Sequence, residues 1–140
     1  MTHVGSPPPT EGTTAMHVHT PTAADVSTTP NAVMTSLATP RRGTAEISAW
    51  TVRMEPGAAG PRHAMDREQI WLPLSGAITV TTDDGVREVG PGQAAVLPAG
   101  EVRRIATSGD APAEIVVCMA NGGRVTVADT GEIRTAPWTE

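Results

Sequence analysis

From residue 46 onward, apolar and polar residues alternate in short segments separated by turns rich in glycine, proline and aspartate. In residues 47–54, Trp50, Val52 and Met54 share one face of an extended chain. Residues 83–85, Asp-Asp-Gly, are a hairpin signal between two such segments. No helical pattern of useful length appears. The pattern therefore predicts an all-β jelly-roll barrel, with strands at 47–54, 69–74, 77–82, 86–89, 93–97, 102–107, 114–119 and 124–129.

The first 43 residues have a different composition. They are dominated by Thr, Pro, Ala, Ser and Gly, and they contain no run of alternating apolar residues. Such a segment buries too little apolar surface to offset its loss of conformational entropy. We predict a disordered extension over 1–43 and one folded domain over 44–140. The extension has neither the apolar core nor the basic start of a secretory signal, and no stretch is long enough for a membrane span, so we expect a cytoplasmic protein.

Charge and side-chain inventory narrow the chemistry. The net charge of −5 argues against nucleic acid or an anionic membrane as a partner. The single cysteine, Cys118, lies in the apolar run 115–119, where a buried, inert thiol is expected. The chain has no lysine and no tyrosine, which excludes lysine Schiff bases and proton transfer by a phenol. His17 and His19 have the H-x-H spacing of a metal pair but lie in the predicted extension, and we interpret them as incidental.

Two gapped patterns of glycine, proline and polar residues follow one another within the predicted domain. Gly57, His63, Met65, Gln69 and Gly76 fall without a gap on the fixed positions of G-x5-H-x-H-x3-E-x6-G. That pattern is the first motif of the cupin superfamily. Each motif alone would be weak evidence, so the second is needed.

The second cupin motif, G-x5-P-x-G-x2-H-x3-N, is matched in spacing by Gly92, Pro98, Gly100, Arg103 and Thr107. Two motifs in the right order make the chain resemble a small single-domain cupin over roughly residues 44–129. The resemblance implies a jelly-roll barrel that commonly forms homodimers, for which Trp50, Trp138 and the first strand are candidate contacts. It also implies a single metal ion held by four positions, which are His63, Met65, Gln69 and Arg103 in this chain.

Most of these four residues are poor metal ligands. Zinc, iron and manganese sites use imidazole, carboxylate or thiolate. A neutral amide is a weak donor, and a guanidinium has no lone pair and carries a positive charge. We therefore expect a barrel without a metal or other cofactor. The alternative is a rearranged metal site that combines His63 with Glu68, Cys118 or Asp66.

The residues at the ligand positions are expected to converge in the mouth of the barrel. There His63 is a candidate general acid or base, Arg103 a planar donor for an oxyanion, and Gln69 a partner for a carbonyl group. Strand alternation places apolar substrate-binding residues around them. These wall residues are Met54, Met65, Trp71, Val117 and Met119.

Three functions are compatible with such a pocket. The first is a metal-independent isomerase, cyclase or lyase that moves a proton on a small, largely apolar metabolite, uncharged or anionic. The lysine-free, Ala- and Thr-rich composition is typical of high-GC bacteria, where small cupins often serve secondary metabolism. The alternatives are a cup that binds a small ligand without catalysis, and a metal-dependent oxygenase with an atypical ligand set.

Overall fold

The computed structural model describes residues 15–140, which form twelve strands and three short 3-10 helices. The helices are Ala23–Asp25, Pro40–Arg42 and Pro137–Thr139. Each helix within residues 15–140 has only three residues, far fewer than a membrane span needs. The strands are β1 Val26–Thr28, β2 Val33–Ala38, β3 Ile47–Met54, β4 His63–Met65, β5 Gln69–Ser75, β6 Ala77–Thr82, β7 Gly85–Val89, β8 Ala95–Leu97, β9 Arg104–Ser108, β10 Ala113–Ala120, β11 Val125–Val127 and β12 Ile133–Arg134.

The strands form a jelly-roll barrel, as predicted. One six-stranded sheet has the order β1-β2-β3-β10-β5-β8, and two three-stranded sheets have the orders β12-β11-β4 and β7-β6-β9. Isolated bridges between Ala59 and Ala106 and between His63 and Arg103 join the two smaller sheets. The eight strands expected from the sequence are all present, with ends that differ by no more than two residues.

Alternation decides which side chains face the interior. Along β10 every second residue is buried, and Ile115 and Val117 are fully inaccessible. The same alternation on β3 buries Trp50, Val52 and Met54. Cys118 points the other way and is only half-buried, on the outer face of the sheet. The expectation of a buried thiol was therefore wrong, because Cys118 lies out of phase with its inward-facing neighbours.

The glycine that ends the first motif is required by the turn between β5 and β6. Gly76 has φ of +66°, a backbone conformation that side chains disfavour. A Cβ atom at this position would also overlap the carbonyl oxygen of Pro112 and come within 2.9 Å of the Cα of Ala113. The turn thus explains why the motif keeps its glycine.

The N-terminal segment corrects the prediction of disorder over residues 15–43. Strand β2 pairs with β3 from the Val33–Arg53 pair to the Ala38–Ala49 pair, and β1 pairs with β2. The inward residues of β2 are Met34 and Ser36, and the Ser36 hydroxyl donates to the carbonyl of Trp138 at 3.0 Å. The composition did not indicate this strand because the polar residue Ser36 occupies a core position. Its hydroxyl is hydrogen-bonded to the tail, which is distant in sequence. Residues 1–14, predicted to be disordered, lie outside the described residues.

The two histidines of the H-x-H pair hold this segment in place. His19 Nε2 lies 2.9 Å from Asp25, and the Nε of Arg42 donates to the same carboxylate at 2.7 Å. His17 Nε2 lies 3.0 Å from the carbonyl of Arg42. The backbone amide of Thr22 and the side chains of Arg42 and His19 lower the pKa of Asp25 to about 2. The two histidines therefore have a structural role, although their metal-pair spacing alone indicated an incidental match.

The C-terminal tail packs on the barrel. The Ser48 hydroxyl donates to the carbonyl of Thr139 at 3.1 Å, and Thr139 itself is buried. Trp50 is also buried within this one chain, so it offers no surface for the dimer contact that we predicted there. The first predicted strand, β3, is paired on both edges, by β2 and β10. The homodimer itself stays a prediction.

Candidate active site

A cavity of about 580 Å³ lies inside the barrel and opens at one end. Its inner wall is made of inward residues from β3, β4, β5 and β9, which are Trp50, Val52, Met54, Met65, Gln69, Trp71 and Ile105. This volume falls in the range of small-molecule sites, and the mainly apolar wall is typical of them. The core of the barrel thus leaves room for a ligand of metabolite size.

Among residues 15–140, His63 provides the only imidazole of the cavity wall. Its Nδ1 lies 3.0 Å from the carbonyl oxygen of Pro61, which only accepts, so Nδ1 carries the proton and Nε2 keeps its lone pair. Burial lowers the pKa of His63 below 6.5, and the positive charge of Arg103 adds to this effect. The ring is therefore neutral at neutral pH and is poised to accept a proton at Nε2.

Gln69 is held by its neighbours with a defined orientation. Its Oε1 accepts a hydrogen bond from the indole Nε1 of Trp71 at 3.0 Å, and its Nε2 contacts the sulfur of Met119 at 3.6 Å. The acceptor oxygen is occupied, whereas the amide nitrogen has only a weak sulfur partner. Gln69 therefore has a free donor for a ligand, while one of the two lone pairs of its oxygen is already used by Trp71.

Arg103 lies next to His63 but does not line the cavity. The backbones of the two residues pair, with N to O distances of 2.9 and 2.8 Å. The Arg103 side chain is 1 % exposed; Nη1 donates to the carbonyl of Glu101 at 2.9 Å, while Nε and Nη2 form no hydrogen bond within residues 15–140. Burial lowers the pKa of its guanidinium. His63, Met65 and Gln69 therefore converge on the cavity as predicted. Arg103 does not, because its side chain lies behind the cavity wall.

The apolar residues predicted to bind substrate divide into two groups. Met54, Met65 and Trp71 line the cavity. Val117 and Met119 face inward but are buried in the core without reaching the cavity wall, which corrects that part of the prediction. Both lie on β10, whose inward side chains are covered by their neighbours. Alternation identifies the inner face of a strand but does not tell core from cavity.

The mouth of the cavity is built by segments that sequence reasoning did not assign to the site. Residues 28–32, at the turn between β1 and β2, form one side. Residues 134–139, from the end of β12 to the last 3-10 helix, form another side and include Arg134 and Trp138. An available signal was the tryptophan at position 138, the only aromatic residue in the tail.

The sequence model of a protein family, the cupin domain, matches residues 50–119, which is half of the 140-residue chain. The chain belongs to the cupin family. No curated protein matches the sequence significantly.

Solved structures of other cupins have the same fold as this one. A sugar phosphate isomerase of the cupin superfamily from Silicibacter pomeroyi is 25% identical, with a TM-score of 0.60 over 71% of this chain and 68% of its own. The polyketide cyclase RemF from Streptomyces resistomycificus is 18% identical, with a TM-score of 0.63 over 80% and 73%. The DMSP lyase DddQ from Ruegeria pomeroyi is 21% identical, with a TM-score of 0.59 over 79% and 53%.

The metal site that the cupin family implies does not fit the residues of this chain. Of the four ligand positions, only His63 supplies a good donor; the oxygen of Gln69 is bonded to Trp71, and Arg103 is a buried cation. The alternative ligands do not assemble either, since Glu68 is exposed and Cys118 lies on the outer face. Asp66 accepts a hydrogen bond from the amide of Arg124 at 2.7 Å. Throughout residues 15–140, no three His, Cys, Asp or Glu side chains come together as metal ligands would.

Proposed function

We propose that this cupin is a metal-independent enzyme that transfers a proton on a small, largely apolar metabolite, as an isomerase, cyclase or lyase. The observation that supports this most directly is the state of His63. Its ring is neutral, its Nδ1 proton is committed to Pro61, and it lines an apolar cavity of about 580 Å³. A neutral imidazole in such a position is a general base, and this type of catalysis contributes roughly 100- to 10,000-fold in rate.

The proposed step begins with a C–H bond made acidic by a neighbouring carbonyl group. Nε2 of His63 accepts the proton, and the electron pair of the broken bond passes to the carbonyl oxygen as an enolate. The amide nitrogen of Gln69 donates a hydrogen bond to that oxygen. The imidazolium then returns the proton to another atom, or the enolate expels a leaving group or closes a ring. No oxidant or reductant is needed.

Arg103 acts on this step through space. Its fixed charge next to His63 disfavours the imidazolium before reaction, which keeps the base unprotonated. Once the proton has moved, the enolate lies near two positive groups, and their attraction offsets the repulsion between the imidazolium and the guanidinium. Arg103 is in this sense a positioning residue, because it does not reach the cavity.

The structural neighbours are compatible with this reaction class. They include proteins described as an isomerase, a cyclase and a lyase. The shared barrel accommodates such reactions, and the reaction assigned to this chain rests on its own residues.

The test is exchange of substrate hydrogen for deuterium. The protein is incubated in D2O with a panel of aryl and alicyclic ketones and keto acids, and mass spectrometry detects deuterium next to the carbonyl group. We expect exchange by the unaltered protein and a loss of at least about 100-fold in His63→Gln, with ligand affinity retained. Arg87→Gln, which changes an exposed side chain on β7 away from the cavity, is the control. Equal exchange in His63→Gln would rule out His63 as the proton carrier.

One observation favours the second candidate, a cup that binds its ligand without reaction. The His63 ring is oriented by a backbone carbonyl, and no carboxylate contacts it within the described residues. A ligand that binds tightly, undergoes no exchange and is unaffected by His63→Gln would support this candidate. Metal analysis of protein purified without chelators addresses the third, the oxygenase. One equivalent of iron, nickel, copper or zinc that is lost in His63→Ala would support it.

A further inference from the structure

Arg134 is the only charged side chain that lines the cavity along the described part of the chain. No aspartate or glutamate lines it. The cavity is therefore cationic in a protein whose net charge is −5. Arg103, buried behind His63 with two nitrogen atoms unpaired, adds a second positive charge close to the wall. This local charge is opposite to that of the molecule and favours an anionic ligand.

The sheet register directs Arg134 toward the same space as His63. Arg134 pairs with Val125, which pairs with Met65, while His63 pairs with Val127. Residues that pair directly across strands point to the same face of a sheet, and so do residues two positions apart. All five of these side chains line the cavity, in agreement with this rule.

Arg134 lies at the rim, whereas His63 lies deeper. The Arg134 side chain is 56 % exposed, and its Nη1 is 3.8 Å from Glu132 Oε1, which does not line the cavity. Two strand spacings and a two-residue offset separate the Cα atoms of Arg134 and His63 by about 12 Å. Val125 and Val127 of β11 lie between the two residues in the sheet, and the rest of the cavity wall includes three tryptophans.

We propose that the ligand of this cavity is an amphiphilic anion. Its carboxylate or phosphate binds Arg134 at the rim, and its apolar body lies against Trp50 and Trp71 with the reacting carbon at His63. The guanidinium matches either oxyanion with two parallel hydrogen bonds. The placement of the reacting carbon rests on the function proposed above, whereas the recognition of the anion by Arg134 does not.

The binding test uses the protein's own fluorescence. All three tryptophans of the chain, Trp50, Trp71 and Trp138, line the cavity, so a ligand within it changes their emission. The probes are 4-phenylbutyrate, its neutral amide, and phenethyl phosphate with phenethyl alcohol as its neutral counterpart. We expect each anion to bind about fivefold more tightly than its neutral counterpart, the range for an exposed charge pair, with the difference reduced by added salt.

Three variants locate the source of this discrimination. Arg134→Gln is expected to abolish it, and Arg87→Gln, an exposed arginine on β7 away from the cavity, to preserve it. Glu132→Gln, which removes the competing carboxylate, is expected to increase it. Equal affinity for anion and neutral counterpart in the unaltered protein, undiminished discrimination in Arg134→Gln, or no binding of any probe would overturn the proposal.

The comparison with His63→Gln separates this proposal from that of the reaction. We expect His63→Gln to retain the preference for anions while it loses hydrogen exchange. If the unaltered protein prefers anions but neither it nor the variant exchanges substrate hydrogen, only the proposed reaction is contradicted. If the unaltered protein exchanges substrate hydrogen but binds anionic and neutral probes equally, only the role of Arg134 is contradicted.

Discussion

Replacement of Arg103 by methionine is expected to stabilise the fold while it impairs the proposed reaction. Methionine keeps the apolar stem of the side chain, although it is shorter than arginine, and it removes the charge. The guanidinium is 1 % exposed, and its Nε and Nη2 atoms have no hydrogen-bond partner within residues 15–140. A buried polar group without a partner destabilises the folded state.

The change in the free energy of unfolding is the balance between the hydrogen bond that is lost and the unsatisfied donors that are removed. Each unsatisfied donor costs about 1–3 kcal/mol, whereas the hydrogen bond from Nη1 to Glu101 contributes roughly 1.5–3 kcal/mol. The two donors together cost about 2–6 kcal/mol, so the net change centres on a gain of about 2 kcal/mol in the free energy of unfolding. Replacing buried charged groups by apolar ones gives gains of this order in other proteins. A domain of this length gains about 3 °C in Tm per kcal/mol.

Urea unfolding followed by tryptophan fluorescence measures this change. The midpoint is expected to rise with an unchanged slope, because the surface exposed on unfolding stays the same. Arg104→Met is the matched control: Arg104 is exposed and its Nε donates to the carbonyl of Gly60 at 3.0 Å, so its loss is expected to lower stability by up to about 1 kcal/mol. A decrease of more than about 2 kcal/mol in Arg103→Met would refute the reasoning, since it would mean that the guanidinium is well satisfied in the folded protein. NMR titration is expected to show a higher pKa of His63 in this variant.

Two further predictions concern backbone conformation and pH. Gly76→Ala is expected to lower the free energy of unfolding by on the order of 3 kcal/mol, because the added methyl group meets the backbone of Pro112; Gly92→Ala, also at positive φ but in open space, should lose only about 1 kcal/mol in the same urea assay. Equal losses would contradict this explanation. The pKa of His63 is lower in the folded state, so its contribution to stability is complete above 6.5 and is lost as the pH falls below that value. Stability should thus decrease more steeply on acidification in the unaltered protein than in His63→Gln, and parallel curves would contradict the direction of the shift.

The barrel was largely predictable from the sequence because its strands alternate and its turns carry glycine. The bounds 47–54 and 77–82 agree with β3 and β6, and β10 extends one residue beyond the prediction at each end. Strands β1 and β2 were missed because pairing with β3 and a hydrogen bond from Ser36 to the tail hold them in place. Such stabilisation depends on residues distant in sequence and leaves no local pattern.

The site was predictable to the extent that backbone position decides it. Motif spacing brought His63, Met65 and Gln69 to one wall, and alternation buried Arg103 while exposing Arg104. The end point of the arginine side chain was not predictable, because its several rotatable bonds separate the guanidinium from the backbone. The hydrogen bond between Trp71 and Gln69 was likewise invisible, although it decides which atom of the amide remains available to a ligand.

The family match covers the wall of the cavity but not its mouth. The family model covers residues 50–119, which include the wall residues of β3, β4, β5 and β9. The mouth is formed by residues 28–32 and 134–139, and both segments lie outside that match. Arg134, the charged residue that lines the cavity in the described part of the chain, belongs to the second of these segments. The position of His63 therefore belongs to the matched part of the barrel, whereas the anion recognition that we propose for Arg134 depends on a loop-rich segment outside it.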